Sequence, residues 1–322
     1  MKRKILRSIW SLLKLLIAIG APFTFLSALW LKLVRKVGIG KISDSIFMRL
    51  GILPVADHYY EPMINPKKHL TKPLRDDRPI KGIDFNVKEQ LELLAQFKYN
   101  EELVQFPIKK TKNIEYHYDN VSYSSGDSEY LYNIIRHFKP GKIIEIGSGH
   151  STLMARNAIT KNKSEDAAYH CHHICIEPYE QPFLETTGVD VMREKVENVD
   201  KSLFQNLERN DILFIDSSHI IRPQGDVLFE YLEVLPILKP GVIIHVHDIF
   251  TPKDYLDGWI YEHILWNEQY LLEAFLMFNS DFKIVGALNY LAHNHRKEFA
   301  EKCPVFAKQE AKEPGALWMV RK

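Results

Sequence analysis

The stretch Lys142–Thr152, KIIEIGSGHST, decides the fold. Pro140-Gly141 turns the chain just before it, and KIIEI is a short apolar run of strand length. Gly147-Ser148-Gly149 then makes a glycine turn, and His150 opens a helix. A glycine turn that feeds a helix amino terminus lets backbone N–H groups approach a ligand closely. Thr152 stands where a dinucleotide fingerprint would put its third glycine, which argues against NAD and its pyrophosphate.

Outward from this turn, the pattern alternates helix and strand from about residue 121 to the end. Ser125 or Asp127 can cap a helix through His137. HICIE (173–177), VDVMRE (189–194), DILFID (211–216), GVIIHVHD (241–248), DFKIVGAL (281–288) and ALWMV (316–320) read as strands. Between them fall helices around 201–208, an amphipathic helix DVLFEYLEVLPIL (226–238) with Val227, Leu228, Tyr231, Leu232 and Leu235 on one face, and a long helix over about 262–279. Strands separated by helices imply a parallel sheet covered on both faces. In such sheets ligands bind beyond the carboxyl ends of the strands. Glu177, Asp216 and Asp248 stand at those ends, with His245 and His247 on one side of the strand before Asp248 and His219 three residues after Asp216.

The chain has 322 residues, 46% of them hydrophobic and 26% charged, enough for one large domain and an extension. Its formal net charge of +1 gives no general attraction to nucleic acid. Cys171, Cys175 and Cys303 are too few for a disulfide framework and fit a reducing compartment. Cys171-His172-His173-Ile174-Cys175 has the look of a metal knuckle, but no second ligand pair follows at finger spacing, so it reads as a strand entry.

At the amino terminus, MKRKILRSIWSLLK leads into the uncharged run LLIAIGAPFTFLSALWL (15–31), closed by Lys32, Arg35 and Lys36. As a helix this run would span roughly 25 Å, marginal for a bilayer core. Lys14 interrupts any signal-peptide core, so the segment reads as an uncleaved membrane attachment through residues 1–36. Cations at both ends, with Gly20 and Pro22 in the middle, suit an in-plane or re-entrant anchor as well as a span. The expected divisions are a membrane-associated segment (1–40), a connector (41–120) with one or two helices in VKEQLELLAQFKYNEELVQF (87–106), and a further domain (121–322) on the cytoplasmic face.

EIGSGHST, the CIEP strand end, FIDSSH and the final ALWMV strand together resemble the class I S-adenosylmethionine-dependent methyltransferases over residues 121–322. FIDSSH and LKPGVIIHVHDIF are most similar to the methyltransferase-24 subgroup, and less closely to macrolide-sugar O-methyltransferases and cephalosporin hydroxylase-like proteins. The resemblance implies an α/β, Rossmann-like, doubly wound seven-stranded sheet with its last strand antiparallel, here with an N-terminal helical extension. It also implies S-adenosylmethionine as cofactor. The cofactor turn falls on Gly147, Ser148 and Gly149, with Glu145, Ser151 and Asp216 around it and Glu177 as the ribose acid.

In catechol-type O-methyltransferases, acids at the ends of the fourth and fifth strands hold a divalent metal, with an Asn or Asp directly after the second. Asp216 and Asp248 match those two acids, but the residue after Asp248 is Ile249, so the third ligand is open: His247, or His245 on the same side of the strand, is the candidate to complete or support the shell, with His247 put first. Oxygen ligands favour magnesium or manganese, and a larger histidine share favours iron or zinc. His219 occupies the place of the base in the macrolide-sugar enzymes, and a neutral imidazole can take a hydroxyl proton as the methyl transfers. These features point to methylation of a hydroxyl on a sugar, lipid-linked or secondary-metabolite acceptor, a bacterial-type glycan or metabolite modification. Tyr255, Trp259 and His263 are candidate lid residues. A hydroxylase-like metal enzyme on the same fold, a metal-free N-methyltransferase and a non-catalytic membrane-associated nucleoside-binding protein are the alternatives.

Overall fold

The computed structural model describes residues 2–179, 181–309 and 311–322, with side-chain surroundings given from Ile9 onward. It divides into two compact units, Met1–Lys72 and Pro73–Lys322, of which Met1 itself lies outside the described residues. The boundary falls inside the connector expected over 41–120.

The second unit is built on seven strands: β1 Lys142–Ile146, β2 His172–Ile176, β3 Asp190–Met192, β4 Ile212–Ile215, β5 Ile243–His247, β6 Phe282–Ala287 and β7 Ala316–Arg321. Their order is β3-β2-β1-β4-β5-β7-β6, all parallel except β7, which runs antiparallel to both β5 and β6. This is the doubly wound, Rossmann-like seven-stranded sheet with its last strand antiparallel that the sequence leads one to expect. Burial of β1, β4 and β5 on both faces explains their unbroken apolar runs. The period of two sorts their side chains: Ile143, Ile212, Phe214 and Trp318 enter one core, and Ile144, Leu213, Ile215, Leu317 and Met319 the other.

Residues 73–120 belong to this unit by packing. Leu94, Phe97 and Leu103 enter the first core, and Gln90 Oε1 accepts the Ala287 N–H at 2.7 Å. The helices there are Val87–Gln96 and Asn100–Leu103.

Two helices differ from their sequence reading. The region read as one long helix over 262–279 is helical only over Glu268–Leu276, and residues 262–267 form a turn that separates it from a short helix Asp257–Tyr261. The turn is tied down elsewhere: the Asn267 and Glu268 N–H groups donate to the His219 carbonyl, and Asn267 Oδ1 accepts the Ile221 N–H. The amphipathic 226–238 segment is α-helical only over Asp226–Phe229, then widens to a π turn over Glu230–Val234 and tightens before its end at Ile237. Pro236 removes a backbone donor there.

In the first unit, helices Lys2–Ile19, Ala21–Val37 and Lys41–Leu50 follow one another. Among the described residues no single helix is long and apolar enough to cross a membrane. Ile9–Ile19 and Ala21–Val37 pass that test together, bent by 61° at Gly20. Their apolar residues face outward; Phe23 is 79% exposed and Trp30 63%.

Candidate active site

Gly147 follows β1 with φ +74°, and a Cβ there would lie 1.9 Å from the Asp216 carbonyl oxygen. Only glycine fits. The Gly147 N–H donates to Ile176 O at 3.1 Å and the Asp216 N–H to Ile146 O at 2.9 Å, which draws the ends of β2, β1 and β4 together. The helix His150–Glu165 opens next, where Thr152 Oγ1 accepts the Gly149 N–H at 2.9 Å. Threonine at the third fingerprint position therefore caps the helix from inside.

Glu177 sits just past β2, and its carboxylate accepts the Ser148 and Tyr179 N–H groups, each at 3.1 Å. Of the glycine turn Gly147 lines a cleft of about 410 Å³, together with Glu177, Tyr179, Glu197, Asp216 and Ser217, while Ser148 and Gly149 are not in its lining; the volume is within the range of small-ligand sites. Glu145 and Ser151, expected to contact cofactor, are directed elsewhere. Glu145 is buried and accepts from Ser151 Oγ at 2.6 Å, and its other oxygen meets His173 Nε2 at 2.9 Å, with Cys175 Sγ at 3.5 Å. They bind β1 to β2 and to the following helix beneath the turn. The CHHIC run is accordingly a strand, with Cys171 outside the Glu145–His173–Cys175 cluster.

Beyond the cleft, Asp216 and Asp248 converge at the carboxyl ends of β4 and β5. His219 Nε2 lies 3.3 Å from Asp216 Oδ1 and 3.4 Å from Asp248 Oδ2. His247 Nδ1 approaches the same oxygens at 3.3 and 3.6 Å. Behind His219, Glu268 Oε2 meets Nδ1 at 2.8 Å, and Glu268 Oε1 accepts the Tyr231 hydroxyl at 3.0 Å. The π turn delivers Tyr231 to that position. His219 and Asp248 both hold positive φ, +59° and +55°. Such strain, about 1–3 kcal/mol each, persists where the surroundings over-determine a residue.

Burial opposes charge on both histidines. On His247 the carboxylates of Asp248, Asp216 and Asp127 overcome it and push the pKa up to about 10. Hydrogen bonds to Asp216 and Glu268, with the charge of Asp248, hold His219 well above its ordinary value. Burial would raise Asp216, but His247 and His219 keep it well below the carboxylate range. For Asp248 burial wins and the pKa rises. Carboxyl groups of Asp216, Asp248 and Glu268 converge on these two imidazoles, and buried charge left unbalanced is costly. Ligand atoms of Asp216, His219 and Asp248 all lie within 4.8 Å of one another. This donor set fits a divalent cation.

His245 lies beneath this rim. Its ring stacks on Phe214 at 3.9 Å, burial pulls its pKa well down, and neither ring nitrogen has a hydrogen-bond partner among the described residues. It is a neutral core ring. Of the expected lid residues, Tyr255 is buried with its hydroxyl oxygen accepting the Gln269 N–H, Trp259 packs on Phe250 and Trp266, and His263 is exposed. The aromatic rings against the site are Trp266, 4.5 Å from the His219 ring, and Tyr123, 5.1 Å from the His247 ring. Neither Trp266 nor Glu268 carried a sequence signal, because each reaches His219 through the turn that interrupts the expected helix.

Residues 144–249, from β1 through the Asp248 turn, match the methyltransferase-24 family, described as a methyltransferase domain. The chain is 29% identical over 184 residues to an uncharacterized protein of Archaeoglobus fulgidus, covering 52% of this chain and 80% of that protein. An O-methyltransferase from Bacillus cereus, solved in complex with SAH, aligns over 73% of this chain and 91% of its own at 12% identity, with a TM-score of 0.32.

Proposed function

We propose that this class I S-adenosylmethionine-dependent methyltransferase methylates a hydroxyl of a sugar, lipid-linked or secondary-metabolite acceptor at the Asp216–Asp248 rim, working at the cytoplasmic face of a membrane. The observation that carries the reading is the double position of Asp216, which lines the cleft beside Gly147 and Glu177 and also touches both rim histidines. Cofactor and acceptor would therefore meet at one carboxylate.

Within this reading Glu177 accepts hydrogen bonds from ribose hydroxyls, and the backbone at Gly147–Gly149 lets the cofactor lie close. The cofactor supplies the methyl group, while a divalent cation held by Asp216, Asp248 and His247 would orient and acidify the acceptor hydroxyl and offset the rim's negative charge. With the cation offsetting the charges of Asp216 and Asp248 that otherwise hold His219 protonated, a neutral His219 would take the hydroxyl proton at Nε2. Glu268, bonded at Nδ1, fixes the tautomer and stabilises the imidazolium that forms. The His219 contacts to both aspartates also favour a second reading, with His219 as a ligand. Manganese binding by His219→Gln separates the two: it is retained if His219 is the base and lost if it is a ligand.

The experiment for the function itself is methyl transfer from radiolabelled S-adenosylmethionine into a lipid and glycan extract, with and without EDTA. Metal-dependent labelling of an alkali-stable ether is expected, and labelling that survives EDTA would contradict the metal-assisted reading. Glu177→Ala should weaken S-adenosylmethionine binding by about 1–3 kcal/mol through lost hydrogen bonds, as read by isothermal titration. Unchanged affinity would remove Glu177 from the site.

Membrane attachment is supported by the exposed apolar faces of the first two helices and the cations at their ends. Deleting residues 1–36 should move the protein from the membrane pellet to the supernatant while cofactor binding persists. A full-length chain that stays in the supernatant without detergent would count against attachment.

A further inference from the structure

The first unit contains a cavity of about 780 Å³ whose lining is part apolar and part charged. Ala28, Leu31, Lys32, Arg35 and Lys36 contribute from one face of the helix Ala21–Val37, since they recur at helical spacing. The segment Pro54–Glu61 forms the facing wall. Ala28, Leu31, Pro54 and Val55 make one part apolar, and Lys32, Arg35, Lys36 and Lys68 make the other cationic.

The acids in this wall are already engaged. Glu61 pairs with Arg35, and Asp57 pairs with Lys68 and with His69 at 2.8 Å. Lys32 and Lys36 are exposed and make no ion pair among the described residues. Two ammonium groups without an ion-pair partner among the described residues, lining a part-apolar cavity, suit an anion attached to an apolar chain. Trp30, Tyr59 and Tyr60 are exposed in the same unit, and such rings favour the level of lipid headgroups.

We propose that this cavity is a binding site for an anionic membrane phospholipid, resting on the reading that residues 1–36 attach the protein to a bilayer. Lys32 and Lys36 hold the phosphate, and the acyl chains lie along Ala28 and Leu31. The Arg35–Glu61 pair holds the Pro54–Glu61 wall against the helix. The carboxyl end of the Ala21–Val37 helix is thereby placed at headgroup depth, and the 61° bend lets the preceding helix stay in the same leaflet.

The test is flotation of the full-length protein with vesicles of phosphatidylcholine alone and of phosphatidylcholine with phosphatidylglycerol. The wild type should partition at least about tenfold more strongly onto the anionic vesicles. Lys32→Glu with Lys36→Glu should remove that preference. Lys41→Glu with Arg49→Glu, which makes the same charge change on the neighbouring helix, should keep most of it. Equal losses in the two double variants would mean diffuse attraction and would overturn the site. Equal binding of the wild type to both vesicles would overturn the headgroup assignment and leave attachment standing. No flotation on either vesicle would overturn attachment and the site together.

Discussion

Asp248→Asn should abolish metal-stimulated methyl transfer while the fold and the cofactor affinity survive. Asparagine keeps the size of the side chain and its capacity to hydrogen-bond, and position 248 lies outside the residues that line the cofactor cleft. What it removes is one of two carboxylate charges facing His219 and His247, at 3.4 and 3.6 Å. A hard dication needs that charge. Its loss would forfeit several kcal/mol of stabilisation at the reacting oxygen, about three orders of magnitude in rate. Transfer assays with magnesium or manganese, each against EDTA, check this. Full metal stimulation in the variant would make Asp248 a structural residue.

His219→Gln should lower kcat by about 10²–10⁴-fold, the usual worth of a general base, with cofactor affinity nearly unchanged. Glutamine can still donate to Glu268, so the pocket behind it stays filled. Raising the pH should restore part of the rate, because the acceptor hydroxyl then ionises without help. The sign distinguishes this role from packing, since a merely structural defect would not recover with pH. A silent substitution would remove His219 from the chemistry.

The parts of this site that were legible in the sequence are those set by strand ends. Gly147, Glu177, Asp216 and Asp248 each follow a short apolar strand, and a parallel sheet carries such residues to one edge whatever the rest of the chain does. Glu145 and Ser151 looked equivalent to their neighbours, but alternation along β1 turns Glu145 sideways toward His173 and away from the cleft. Glu268 was invisible for another reason. It lies 49 residues from His219, and apolar spacing in 262–279 is compatible with an uninterrupted helix. The interruption is imposed by tertiary hydrogen bonds from Asn267 and Glu268 to the His219 carbonyl, which no local propensity records. Tyr231 likewise read as a core position. The π turn leaves it buried but aims its hydroxyl at Glu268.

In the proposed site the two aspartates at the ends of β4 and β5 hold a dication beside the cleft. This binding is tested most directly, and without knowing the acceptor, by titrating manganese into the full-length protein and following the free-ion signal by electron paramagnetic resonance. The account predicts one site per chain in the wild type and in Glu177→Ala, and its disappearance in Asp216→Asn and in Asp248→Asn. Manganese bound equally well by both asparagine variants, or by none of the proteins including the wild type, would contradict it.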